Sequence, residues 1–122
     1  MDDTQLLRYS RHILLAELGL DAQRRFAGAH ALIVGMGGLG APAAQFLAAA
    51  GVGTITICDA DQVDLTNLQR QILYATPDVG THKVDAAARR LHAVNPEVRI
   101  ERIASRRLVP ICAASSASCK VE

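Results

Sequence analysis

An α/β fold is predicted by three observations. Three short runs of apolar and β-branched residues are separated by helix-forming stretches. A glycine-rich turn, Gly35-Met36-Gly37-Gly38-Leu39-Gly40, stands between the first run and its helix, and Asp59 closes the second run. Alternating strands and helices imply a parallel sheet with right-handed crossovers. The expected architecture is a Rossmann-like parallel sheet, incomplete with about three strands and preceded by an N-terminal helical segment.

In chain order, Leu6, Leu7, Ile13, Leu14, Leu15 and Leu18 predict one amphipathic helix with Thr4 as its cap, ended by Gly19. A second helical piece, Asp21 to Phe26, leads to Gly28. Ala31-Leu32-Ile33-Val34 is continuously apolar, the pattern of a strand covered on both faces. After the glycine turn, Ala41 to Ala50 is rich in helix formers and Gly51 stops it. Thr54 to Cys58 is β-branched and reads as the second strand. Asp59 to Asn67 is polar loop and Leu68 to Leu73 a short helix. Lys83 to Val94 is a helix ended by Asn95-Pro96, and the alternation from Val98 to Ile103 predicts the third strand. The expected organisation is residues 1–28 as the helical segment, 29–103 as the nucleotide-binding half-domain and 104–122 as an unmatched tail.

Composition narrows the function. Hydrophobic residues form 50% of the 122 and charged residues 20%, which excludes a disordered or fibrous chain. Aromatics are 3% and the formal net charge is +1, so neither a base-stacking platform nor a basic phosphate-binding face is expected, and nucleic acid is not the partner. No run approaches the roughly 18 apolar residues of a membrane span, and the acidic start Met1-Asp2-Asp3 does not look like a secretory signal. A cytoplasmic protein is expected. Cys58, Cys112 and Cys119 form no disulfide or zinc pattern, and His12, His30, His82 and His92 have no ligand spacing, so no metal site is expected from this chain's residues.

The glycine turn has a specific chemistry. Gly35, Gly37 and Gly40 fit G-x-G-x-x-G, with Gly38 an additional glycine, directly after a strand and directly before a helix. Glycines let backbone N–H groups approach phosphate oxygens, and the following helix points its positive end at the same place. Asp59, 19 positions past Gly40, can accept hydrogen bonds from ribose hydroxyls. The bland alternative is a tight strand-to-helix turn with no ligand. This machinery suits the adenosine end of NAD or of ATP. Asn67, Arg70 and Lys83 beyond it suit a triphosphate, whose charge needs neutralising during attack, although either cation alone also reads as a solvated surface charge.

Arg8-Tyr9-Ser10-Arg11-His12-Ile13-Leu14-Leu15, the glycine turn, Gly51-Val52-Gly53, Asp59-Ala60-Asp61 and Thr66-Asn67-Leu68-Gln69-Arg70-Gln71 resemble the ThiF/MoeB/HesA family, in register from about Leu7 to about Ile103. These are bacterial relatives of ubiquitin-activating enzymes. The resemblance implies an ATP-dependent adenylyltransferase acting on the C-terminal carboxylate of a ubiquitin-like sulfur-carrier protein, for molybdopterin or thiamine synthesis. It implies that Gly35, Gly37, Gly38 and Gly40 lie along the nucleotide, Asp59 takes the ribose, and Asn67, Arg70 and Lys83 surround the triphosphate. Arg11, Arg70 and Lys83 are then the catalytic set, with Arg11 reaching the ATP of the partner subunit across a homodimer. Without the resemblance, Arg11 is an ordinary surface residue of an amphipathic helix.

The resemblance also implies Mg²⁺, whose usual aspartate ligand would lie in a second half that this chain does not match; the family's zinc-binding cysteine pairs are not in it either. From Ala104 onward the text turns rich in Ala and Ser and departs from the pattern, as in a truncated or frame-shifted product. Weak nucleotide binding and little adenylation are then expected. A non-catalytic dimerisation partner that lends Arg11 is the alternative, and an NAD-dependent oxidoreductase a third reading.

Overall fold

The computed structural model describes residues 1–105; Cys112, Cys119 and all but the first two residues of the segment 104–122 lie outside them. Three helices come first: α1 (Asp3–Arg8), α2 (Ser10–Ile13) and α3 (Gly19–Gly28). Then β1 (His30–Val34), α4 (Gly40–Ala50), β2 (Thr54–Cys58), α5 (Lys83–Val94) and β3 (Arg99–Ile103) alternate as expected, with short 3₁₀ turns at Leu65–Asn67 and Thr76–Asp78. The sheet is parallel throughout in the order β1-β2-β3, with His30 opposite Thr54 and Thr54 opposite Arg99. The Rossmann-like reading holds for the described residues.

The core lies on one face of this sheet. Ala41, Ala44 and Ala48 of α4 meet Ile55 and Ile57 of β2 and Val84, Ala87 and Leu91 of α5, all buried. Alanines suit this seam because they favour helix and let the helix axis approach the sheet closely. Gly51 stops α4 in the left-handed conformation at φ +89, as a C-terminal glycine should.

Three local expectations are corrected. The single N-terminal helix capped by Thr4 is instead broken. Asp2 is the cap, in a reciprocal pair with Gln5, and the chain leaves helical geometry at Tyr9. Gly19, expected to end the first helix, instead begins α3. Leu7 and Leu14 are each 77% exposed, so the apolar positions do not share a buried face. The reason is tertiary: Tyr9 turns inward to pack on Gly51 and bond Asn95, and that contact overrides helical periodicity.

The expectation that β1 is covered on both faces also fails. Leu32 and Val34 are 43% and 56% exposed, because β1 is an edge strand of the described sheet and α4 packs over its other face. Finally, Leu68 to Leu73 is irregular turn. The helical turn falls earlier, where Asp64 and Asn67 cap each other, and the residues after it are drawn onto the glycine turn.

Candidate functional site

The glycine turn is held rigidly from inside and left open outside. Gly35 takes φ +93 and its N–H extends the ladder to the Cys58 carbonyl at 2.7 Å. Met36 is fully buried; its N–H donates to Asp59 Oδ2 at 2.8 Å and its carbonyl accepts the Tyr74 hydroxyl at 2.5 Å. A Cβ at Gly40 would overlap the Gly35 carbonyl, so close packing of α4 requires glycine there. Gly37 and Gly38 differ. A Cβ at Gly38 would meet nothing within 4 Å, and one at Gly37 would make only ordinary contact with Gln71 Nε2 at 3.6 Å. The protein's own packing does not demand glycine at either position.

Among the described residues, the N–H groups of Gly37, Gly38 and Leu39 have no protein acceptor. No side chain caps α4, and Leu39 at its N-cap is 90% exposed. Unpaired amides and the positive end of an eleven-residue helix therefore face open space together. That arrangement attracts an anion, phosphate above all.

Asp59 sits at the end of β2, 8% exposed, with one backbone N–H on each oxygen: Met36 on Oδ2, and Asp61 on Oδ1 at 2.7 Å. Each oxygen keeps a second lone pair for a ligand hydroxyl. The carboxylate thus has a structural duty that sequence reasoning did not foresee. Its charge adds to burial in pushing the Tyr74 phenol well above the usual range, so Tyr74 stays a hydrogen-bond donor. Burial first, and Asp59 second, also raise the Cys58 thiol, whose Sγ lies against the Ser105 carbonyl; this is a quiet core cysteine.

The other expected residues divide by position. Asn67 is half-buried; its Oδ1 accepts the Asp64 N–H at 3.3 Å and its carbonyl takes the N–H groups of Arg70 and Gln71. Arg70 is exposed on that turn. Lys83, first residue of α5 and 6% exposed, is tied by its N–H to the Asp61 carbonyl at 3.0 Å, two residues past Asp59. The Thr66 hydroxyl and N–H hold the Asp64 carboxyl below its ordinary range, and the Lys83 charge acts in the same direction. Backbone contacts thus link Asp59 to the glycine turn and Lys83 to the segment after Asp59, with Asn67 and Arg70 on the following turn. Sequence reasoning missed Tyr74 and Gln71 there: Gln71 lay inside the quoted motif without a role, and nothing in the spacing marked Tyr74.

Arg11 is elsewhere. It is exposed on α2, whose anchors dock at the opposite end of the strands: Tyr9 against Gly51 and Asn95, and His12 Nδ1 on Gln23 Oε1 at 3.1 Å. Five-residue parallel strands separate the two ends by roughly 13–16 Å. For a metal, among the described residues no three His, Cys, Asp or Glu side chains gather into a cage. No described helix is long and apolar enough to cross a membrane.

With this geometry in view, comparison with known proteins is specific. A sequence model of the ThiF family matches residues 9–118, passing beyond Ile103 into the last segment. The chain is 47% identical over 106 residues to the SAMP-activating enzyme E1 of Haloferax volcanii, covering 87% of this chain and 39% of that protein. It is 45% identical to the sulfur carrier protein ThiS adenylyltransferase of Escherichia coli K12, covering 87% and 42%. The E. coli tRNA N6-threonylcarbamoyladenosine dehydratase TcdA, solved with ATP, superposes with a TM-score of 0.83 at 33% identity, over 93% of this chain and 48% of that one. The chain thus spans less than half the length of each.

Proposed function

The chain belongs to the ThiF family, a family of adenylyltransferases, and on that premise we propose that it supplies the nucleotide-binding face of an ATP-dependent enzyme activating the C-terminal carboxylate of a ubiquitin-like sulfur-carrier protein. The observation that carries this reading is the pair Gly37 and Gly38. They are free of any packing demand, with unpaired amides at an uncapped helix start.

In this reading the amides of Gly37, Gly38 and Leu39 hold phosphate oxygens, Gly35 and Gly40 set the turn, and Asp59 accepts the ribose hydroxyls. A carboxylate oxygen of the carrier attacks the α-phosphorus, a P–O bond forms, and the bond to pyrophosphate breaks with its electron pair leaving on oxygen. Lys83, Asn67 and Arg70 balance the charge that develops there. Arg11, out of reach of its own glycine turn, fits a role in trans: the partner subunit's Arg11 in a homodimer stabilises the departing pyrophosphate and makes activity depend on association. Among the described residues no three His, Cys, Asp or Glu side chains gather, and in this reading the protein ligand of Mg²⁺ lies outside them. The carrier and its pathway, molybdopterin or thiamine, are part of the proposal, as is a cytoplasmic setting.

Because Leu39 is exposed and, among the described residues, the outer edge of β1 has no partner strand, the 122-residue chain by itself should bind ATP weakly and exchange little pyrophosphate into it. The test is a titration of the purified chain with ATP and with NAD, read by thermal shift. ATP is expected to stabilise and NAD to do so less. Equal or stronger stabilisation by NAD would return the site to the oxidoreductase reading.

A further inference from the structure

Gln71 has no place in the scheme above, yet its surroundings are unusual. It is only 4% exposed, and its Oε1 is, among the described residues, the one buried side-chain polar atom without a partner. Its backbone is fully engaged, the N–H to the Asn67 carbonyl at 2.8 Å and the carbonyl to the Tyr74 N–H at 3.2 Å, but neither end of the carboxamide bonds to protein. That carboxamide lies against the backbone of Gly37, with Nε2 3.6 Å from where a Cβ would stand. A buried polar group left unpaired costs on the order of 1–3 kcal/mol, so a carboxamide held here with neither end bonded to protein is a rare arrangement. Nothing else about the turn requires a polar residue: Tyr74 already closes the Met36 carbonyl and Asp59 its N–H.

Resting on the nucleotide reading, we infer that Gln71 is a binding residue whose carboxamide N–H donates to a phosphate oxygen held at Gly37. A phosphate oxygen only accepts hydrogen bonds, so the –NH₂ end must face it, and Nε2 is the end that lies beside Gly37. The site at Gly37 then combines backbone amides, the helix end and one side-chain donor. Gln71 is tied to Asn67 and Tyr74 by its own backbone, so the turn that brings Asn67 and Arg70 to the triphosphate also delivers this donor.

The experiment compares the full 122-residue chain with its Gln71→Met variant, which keeps length and apolar volume but removes the carboxamide. Binding of ATP and of adenosine is followed by ligand-detected NMR titration, which reads weak affinities. The expected result is an ATP affinity lowered about tenfold or more with adenosine affinity unchanged, and an unliganded melting temperature at or above that of the parent, because no protein partner is lost. Gln71→Asn, with the carboxamide withdrawn by one methylene, repeats the ATP-to-adenosine ratio should Met not be accommodated. An unchanged ratio in the variants overturns the inference alone, and so does equal loss of ATP and adenosine. A parent chain that binds no ATP at all overturns the nucleotide reading and this inference with it.

Discussion

The chain turns through glycine at both ends of its sheet, and the two turns are built for different neighbours. At the start of β2, Gly51 and Gly53 are glycines because protein fills the space. A Cβ at Gly51 would press on the Tyr9 ring at 2.7 Å, and one at Gly53 would overlap the Ala27 carbonyl. The polar groups around them are paired: Asn95 Nδ2 reaches Tyr9 and the Ala48 carbonyl, Gln23 bonds the Ala50 carbonyl, and Tyr9 donates to Glu97 at 3.1 Å. At the end of β1, Gly37 and Gly38 face open space, their amides unpaired and Gln71 beside them orphaned. One turn is finished by its own chain; the other is left open. Glycine content alone therefore says nothing about binding until the occupant of the missing side chain is known.

Substitution at the glycines tests this contrast most strongly. Gly53→Ala drives a methyl group into backbone and should cost about 3 kcal/mol or more by denaturant titration, with Gly40→Ala comparable because the Gly35 carbonyl stands in the way. A neutral effect at either would break the comparison on its packed side. Asp59→Ala comes next. It should lower stability by about 1–3 kcal/mol before any nucleotide is added, since the Met36 amide loses a buried acceptor. A loss of ATP binding in that variant therefore cannot be assigned to the ribose unless unliganded stability is measured beside it.

Asn95→Ala should cost on the order of 1–2 kcal/mol through the unpaired Ala48 carbonyl and Tyr9 hydroxyl, with no change in the ratio of ATP to adenosine affinity. A changed ratio would mean that the two ends of the sheet communicate. The smallest effect on folding, and the sharpest on binding, is expected for Gly38→Ala. The site has open space and no positive φ, so the unfolded chain loses freedom and stability should rise by about 0.4–1 kcal/mol, while ATP binding falls as the methyl group blocks the phosphate. A destabilised Gly38→Ala would show that the open turn is packed after all.

Much of this molecule was legible in its amino-acid order, and the boundary of that legibility has a physical cause. The strand Thr54–Cys58, the helix Lys83–Val94 and the stop at Gly51 follow from local preferences, because β-branching, helix formers and a left-handed glycine act within a few residues. The glycine spacing and Asp59 were visible for the same reason: they belong to one strand–turn–helix unit and the strand beside it. The broken N-terminal helix, the uncovered face of β1, the clamp of Asp59 and Tyr74 on Met36 and the stranded carboxamide of Gln71 were not visible. Each depends on contacts between residues distant in the chain, Tyr9 with Asn95 or Met36 with Tyr74, whose pairing no local pattern encodes. Local order thus determined which elements form and where an open glycine turn stands. Tertiary packing alone decided which glycines the protein fills itself and which it leaves open.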